Sequence, residues 1–248
     1  MKFPAIELEL ISKQFGGLLA VDAVSLMVAN GERRVLIGPN GAGKTTLFHC
    51  ISGTLQPSSG CVKLFGGDVT KLTENRRTEL GMGRTFQISN VFTELSLLEN
   101  VVLALMGTVS RKWTVHRSVG HYPELRSRAL DGLDRVGLKA RADDSVNDLS
   151  YGDRRQLEMA LALNTNPKIL LLDEPCAGLS PSERQGIAKM ISTLPRDITL
   201  IMIEHDMDVA LALADSVTVL HRGKIIVEGS PAEVQANSEV RDVYFGNI

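Results

Sequence analysis

Residues 38–46 read Gly-Pro-Asn-Gly-Ala-Gly-Lys-Thr-Thr, and no other run constrains the fold as strongly. The spacing fits a phosphate-binding loop: a glycine-rich turn closed by a lysine and a hydroxyl residue. Successive backbone N–H groups in such a turn can wrap the β- and γ-phosphates of a nucleotide at a helix N-terminus. Gly38, Pro39, Asn40, Gly41, Ala42, Gly43 and Thr46 form the cradle. Gly41 and Gly43 let the main chain approach oxygens that a Cβ would hold off. Lys44 would carry its charge to the β/γ-phosphates, and Thr45 would offer its hydroxyl to Mg²⁺.

The flanks supply the context that the loop requires. Val35-Leu36-Ile37 is a short apolar run ending at the loop, as a buried strand would. Beyond it, Leu47, Cys50 and Ile51 fall at helical spacing, and Gly53 is a natural stop.

Composition narrows the class. A length of 248 residues allows one or two domains with a large core. The net charge of −2 argues against non-specific nucleic-acid binding. No apolar stretch approaches the ~20 residues needed to span a bilayer, and the start, Met1 to Glu9, carries no apolar signal core. Cys50, Cys61 and Cys176 lack metal-type spacing, so reduced thiols in a cytosolic protein are the default expectation.

Along the chain, Ile6, Leu8 and Leu10 alternate with Glu7 and Glu9, the period of a half-buried strand. Val24, Leu26 and Val28 repeat the pattern, as do Val62 and Leu64, and the three together imply one antiparallel sheet. From about 88 to 164 the pattern turns helical, with Leu95, Leu98, Val101, Val102 and Leu105 as one stripe. Strands at 169–172 and 199–203 then alternate with helices at 182–194 and 207–214, before a hairpin through Arg222-Gly223-Lys224. Alternation of that kind implies a mostly parallel, helix-covered α/β sheet. The expected organisation is a single domain, 1–248. Residues 1–87 and 165–236 form its core with the β subdomain, 88–164 an inserted helical subdomain, and 237–248 a C-terminal tail.

A second half of the site follows from the apolar run 169–172, which ends on Asp173-Glu174-Pro175. A buried strand delivering two carboxylates at its C-terminal end places them where α/β sheets bind ligands. Asp173 would hold the Mg²⁺ shell, and Glu174 would polarise an attacking water. Leu149-Ser150-Tyr151-Gly152-Asp153 precedes a helix at 154–163. Ser150 and Asp153 form an S-x-x-D capping pattern, while free N–H groups at that helix start can also bind a phosphate.

The loop at 38–46, Gln87, the 149–153 segment, Asp173-Glu174 and His205 occur in the order and spacing of ABC ATPase subunits, which this chain resembles over essentially its whole length. The resemblance implies a P-loop NTPase of the ABC ATPase fold, with ATP and Mg²⁺ as its ligands. It implies head-to-tail pairing with a second ATPase subunit, identical or different, so that two ATP molecules are trapped between them. Ser150 and Gly152 would then donate to the γ-phosphate of the partner's nucleotide. Phe15 would stack on adenine, with core packing as the alternative. Gln87 would sense the γ-phosphate and join Thr45 and Asp173 around Mg²⁺. His205 would reach the γ-phosphate and position the water with Glu174. His49, His116, His121 and His221 are read as structural.

Two departures from the family pattern stand out. Tyr151 and Asp153 replace the usual Gly and Gln of the signature. Ser180 stands where an aspartate is common, and Ser180-Pro181-Ser182-Glu183 is itself a capping box with proline at the first helical position.

Leu-Ser-Tyr-Gly-Asp, Ala-Gly-Leu-Ser-Pro, Arg84-Thr85-Phe86-Gln87, 203–207 and the ending Val243-Tyr244-Phe245-Gly246 look like the ATPase subunits of branched-chain amino acid importers. That branch works with two membrane permeases and an extracytoplasmic solute-binding protein, from the inner face of the cell membrane. Urea, amide or aromatic-acid uptake is the alternative within the resemblance, and a non-transport ABC ATPase the alternative outside it. The basic segment at 107–121, with Arg111, Lys112, Trp113, His116 and Arg117, reads as a solvated insertion or as a permease or headgroup contact.

Overall fold

The computed structural model describes residues 3–85, 91–108 and 123–245. Its centre is a six-stranded sheet built from β3 (Arg33–Ile37), β6 (Met82–Arg84), β7 (Ile169–Asp173), β8 (Thr199–Ile203), β9 (Ser216–His221) and β10 (Lys224–Gly229). The spatial order is β10-β9-β3-β8-β7-β6. All neighbours run parallel except the β9–β10 hairpin, which turns at Arg222 and Gly223 with positive φ at both.

Residues of the central strands alternate between two cores. Val35, Leu170, Leu172, Leu200 and Met202 face the larger cluster, which includes the helices. Leu36, Ile169, Leu171, Ile201 and Ile203 face the other, shared with α1 (Lys44–Ser52) and an antiparallel sheet. Burial on both faces accounts for the unbroken apolar runs of these strands. Their carboxyl ends therefore emerge together at one edge, where the loops carry polar residues.

The antiparallel sheet has the order β2-β1-β4-β5, with β1 (Ile6–Phe15), β2 (Leu18–Val28), β4 (Ser59–Leu64) and β5 (Gly67–Asp68). Ile6, Leu8, Val24, Leu26, Val28, Val62 and Leu64 point inward as their alternation implies. Leu10 does not: it is 63 % exposed, at φ 49°, and Ile11 takes the interior position instead. A bulge between Leu8 and Ile11 inserts a residue into β1, flipping the phase of everything after it. Gly60 on the neighbouring strand accommodates the bulge, since a Cβ there would sit 2.4 Å from the Leu10 carbonyl oxygen.

Three helices, α3 (Leu97–Thr108), α4 (Pro123–Arg135) and α5 (Tyr151–Asn164), pack side by side over one part of the larger core. Leu98, Val101, Val102 and Leu105 form the buried stripe of α3. Between β5 and β6 lies α2 (Glu74–Glu79); after β7 come α6 (Pro181–Ser192) and, after β8, α7 (Met207–Leu213). The chain closes with α8 (Pro231–Ala236) and α9 (Ser238–Phe245), so residues anticipated only as a tail are helical. No helix among the described residues is long and apolar enough to cross a membrane.

Candidate nucleotide site

The 38–43 loop leaves β3 and enters α1, whose first residue is Lys44. Two glycines are fixed there by the protein's own packing. A Cβ on Gly43, at φ 100°, would meet the Ala20 carbonyl at 2.4 Å, and one on Gly38 would meet that of Leu220 at 2.2 Å. Gly41 is different: its φ of 77° needs glycine, yet no atom lies within 4 Å of a Cβ built there. Its open side faces the region where a ligand would sit.

Lys44 is 5 % exposed, and its Nζ donates to the carbonyls of Gly38 at 2.6 Å and Pro39 at 3.0 Å. Burial lowers its pKa, and the nearby negative charge of Glu174 opposes that shift. Gly38 and Pro39 thus hold the lysine, while residues 40–46 line a cavity of about 320 Å³. Phe15, Leu18 and Ala20 form a second wall of that cavity, and Glu174 and His205 a third.

Phe15 ends β1 and is 46 % exposed, with the Lys13 ammonium 5.3 Å from its ring centroid. A ring this open is not a core residue, which removes core packing as the account of it. Leu18 and Ala20 were not anticipated. The only signal for them is their place just past the Gly16-Gly17 turn, which returns β2 alongside Phe15.

β7 delivers Asp173 and Glu174 into contrasting surroundings. Asp173 is 1 % exposed, and neither carboxylate oxygen accepts a hydrogen bond among the described residues. Burial raises its pKa, and Arg84, whose Nη2 lies 3.8 Å from Oδ2, opposes the rise. Glu174 takes φ 50°, rare for a residue with a side chain, and its N–H donates to Ile203 O at 3.0 Å. That turn sends its Oε1 to within 2.7 Å of His205 Nε2, beyond the end of β8.

The donor chemistry suits a small, hard cation. Asp173 offers two unsatisfied buried oxygens, and Thr45 follows Lys44 with a hydroxyl at the cavity wall. Among the described residues no cluster of three or more His, Cys, Asp or Glu side chains could hold a metal alone. Asp173 is not among the residues that line the cavity, so Thr45 alone meets it there; a donor set that sparse suits Mg²⁺, which keeps waters and takes phosphate oxygens with one or two protein ligands. Gln87 lies outside the described residues, as do Arg111, Lys112, Trp113, His116, His121 and Arg117.

Ser150 and Gly152 do not join the cavity. Ser150 caps α5: its Oγ accepts from Asp153 N at 3.1 Å, and Asp153 Oδ2 accepts from Ser150 N at 3.3 Å. Arg141 steadies the box, its Nη1 lying 2.7 Å from Asp153 Oδ2. The Tyr151 ring lies beside Gly178, and a Cβ on Gly152 would stand 2.6 Å from Glu183 Oε1. Ser180 likewise caps α6 in a complete box with Glu183, and Pro181 sits in its first turn. Glu204, only 3 % exposed, was not anticipated either; its signal in the sequence is a lone carboxylate straight after the apolar run of β8.

Comparison with known proteins places this geometry in context. The ABC transporter family matches residues 21–177, and a branched-chain amino acid ATP-binding cassette transporter family matches 224–247. The high-affinity branched-chain amino acid transport ATP-binding protein BraF of Pseudomonas aeruginosa is 34 % identical over 99 % of both chains. LivG of Escherichia coli K12, named for the same transport, is also 34 % identical over 99 % of each. Equal identity, 34 %, is found to the lipopolysaccharide export ATP-binding protein LptB of Acidithiobacillus ferridurans, over 98 % of this chain and 97 % of that one. Among solved structures, the ADP conformation of the ATP-binding cassette MJ1267 superposes with a TM-score of 0.86 at 31 % identity, covering both chains fully. The dimeric cassette MJ0796 bound to ADP and Pi gives 0.77 at 27 %, covering 91 % of this chain and 98 % of that one. With its family match across more than half the sequence and its whole-length relatives, the chain belongs to the ABC transporter ATP-binding family.

Proposed function

We propose that this chain binds and hydrolyses ATP to power uptake of branched-chain amino acids or related small polar solutes through partner permeases. One observation carries the reading. Phe15, the 40–46 loop, Glu174 and His205, from four separate parts of the chain, converge on one cavity with Glu174 and His205 2.7 Å apart. The substrate class is supported by the BraF and LivG relatives and by the family match at 224–247. Identity alone does not separate them from LptB, so the C-terminal match weighs most.

In this reading the loop N–H groups hold the β- and γ-phosphates at the start of α1. Lys44 turns from the carbonyls of Gly38 and Pro39 to the phosphates. Phe15 stacks on the adenine. Thr45, Asp173 and Gln87 would hold Mg²⁺, which would supply positive charge against the phosphate oxygens. Glu174 accepts a proton from the attacking water, and His205 fixes the carboxylate that does so. Ser150 and Gly152, at the N-terminus of α5, donate to the γ-phosphate of the nucleotide held by a second ATPase subunit. Binding thereby closes the pair, and hydrolysis releases it.

A groove of about 250 Å³, lined by residues of α2, β6, α3 and α5, suits a segment of a membrane permease. It brings Glu74, Ala104, Glu158 and Leu161 around the strand that leads towards Gln87. Docking there would place the chain against the inner face of the membrane.

The test is uptake of labelled leucine, isoleucine and valine by cells lacking this chain, complemented with wild type or Glu174→Gln. Uptake restored by wild type alone is expected. Restoration by both, or normal uptake in the deletion strain, would overturn the reading.

A further inference from the structure

Glu204 lies at the join between the two strands that carry Glu174 and His205. It follows β8 directly, is 3 % exposed, and has no part in the cavity wall. Its Oε1 accepts from Cys176 N at 3.0 Å, and its Oε2 from His205 N at 3.2 Å.

Those partners come from two different loops. Cys176 sits two residues past Glu174 after β7, and His205 follows β8. Strand pairing ends at Asp173 and Ile203, so beyond it the ladder no longer sets the spacing of the two chains. One contact, Glu174 N to Ile203 O at 3.0 Å, continues it. Past that point two contacts join the loops, the Glu174–His205 pair itself and the carboxylate of Glu204. Burying a carboxylate is unfavourable unless donors surround it, and here backbone donors of both loops do so. On the far side of His205, Asp206 caps α7 through Asp208 N at 3.0 Å and Val209 N at 3.2 Å, and pairs with Arg184 of α6. The backbone of His205 is thus fixed by Glu204, which also holds Cys176 N of the Glu174 loop, while Asp206 ties the next residue to α7 and α6.

We infer that Glu204 is a positioning residue for ATP hydrolysis: by binding Cys176 N–H and His205 N–H at once, it sets the distance between Glu174 and His205. The inference rests on the assignment of Glu174 and His205 as the hydrolytic pair. Glutamine is the informative substitution. It fills the same space but offers one acceptor oxygen, so its amide must face an N–H that the carboxylate now accepts.

The experiment measures ATP turnover, KM for ATP and nucleotide affinity for Glu204→Gln, in wild-type and His205→Ala backgrounds, within the assembly in which the chain purifies. The expected result is a kcat lowered roughly ten- to a hundred-fold, the scale of a misplaced catalytic group. KM and nucleotide affinity should stay within about two-fold, and the loss should largely vanish in the His205→Ala background. An unchanged kcat, a matching loss of affinity, or an undiminished loss in the His205→Ala background would overturn the inference. Should Glu204→Gln fail to fold, Glu204→Asp keeps both acceptors one methylene short; a lower kcat at wild-type affinity is expected, and an unchanged kcat refutes the role. Glu174→Gln is measured in parallel. If it retains turnover, the hydrolytic pair itself is wrong; if it is inactive while Glu204→Gln is normal, only the positioning role fails.

Discussion

Asp173 and Glu174 are neighbours in the chain but sit in opposite environments: the first has both carboxylate oxygens buried without a hydrogen bond among the described residues, the second turns out at φ 50° to meet His205. Residues in uncommon backbone conformations persist where surrounding structure over-determines them, and they cluster at functional sites. Here the parallel pairing of β7 with β8, Glu174 N to Ile203 O and Ala177 N to Glu174 O supply that constraint.

Asp173→Asn should therefore stabilise the nucleotide-free protein while lowering Mg²⁺-dependent ATP turnover. Burial raises the Asp173 pKa above its ordinary 3.8. The folded state then holds its proton more tightly than the unfolded state, so wild type loses stability as pH rises from about 3.8 through the folded value. The variant lacks that loss. Its advantage in thermal midpoint should be present at neutral pH and vanish well below the ordinary Asp value. Each kcal/mol regained would raise the midpoint by roughly 2–4 °C. Melting curves across pH check the sign, and a neutral-pH midpoint below wild type would count against the buried, unsatisfied carboxylate.

Phe15→Ala should leave stability nearly unchanged, because the ring is 46 % exposed and rests on no core cluster. Its effect should fall on the base: an aromatic–base stack contributes roughly 1–3 kcal/mol, so ATP affinity should drop at least several-fold. Phe15→Trp should retain it. Titration with a fluorescent ATP analogue separates these outcomes, and equal affinity for all three proteins would exclude stacking.

Ser150 has two roles that substitution can pull apart. Ser150→Ala removes the cap on Asp153 N and should cost about 1 kcal/mol of stability. Ser150→Asp keeps a capping oxygen and should melt near wild type, yet its charge would oppose the γ-phosphate of a paired subunit. Calorimetry with ATP-dependent pairing by light scattering reads both effects. Normal pairing by Ser150→Asp would leave only the cap.

How much of this was legible in the sequence varies with how local the determinant is. The phosphate loop stands out because glycine spacing, Lys44, Thr45 and the flanking apolar runs all sit within one stretch. The caps at Ser150 and Ser180 are equally local, and both boxes form. The same logic applied to Ser230-Pro231-Ala232-Glu233 would have found α8, whose cap is identical in kind. Leu10 misleads because a bulge shifts the phase of β1 without any mark in its alternating pattern. Arg84 reaches Asp173 only because β6 pairs with β7, a relation between distant segments that periodicity does not encode. Leu18 and Ala20 enter the cavity for the same kind of reason, through the β1–β2 turn.

The most direct measurement is a pair of readings on Glu174→Gln in the assembled complex: retained radiolabelled ATP, and phosphate release in a single turnover. Removing a positioned general base slows the reaction roughly 10²–10⁴-fold. The variant should therefore hold ATP as intact triphosphate, with phosphate release slowed by at least that lower bound. Phosphate released at the wild-type rate, or no ATP retained by either protein, would contradict the account.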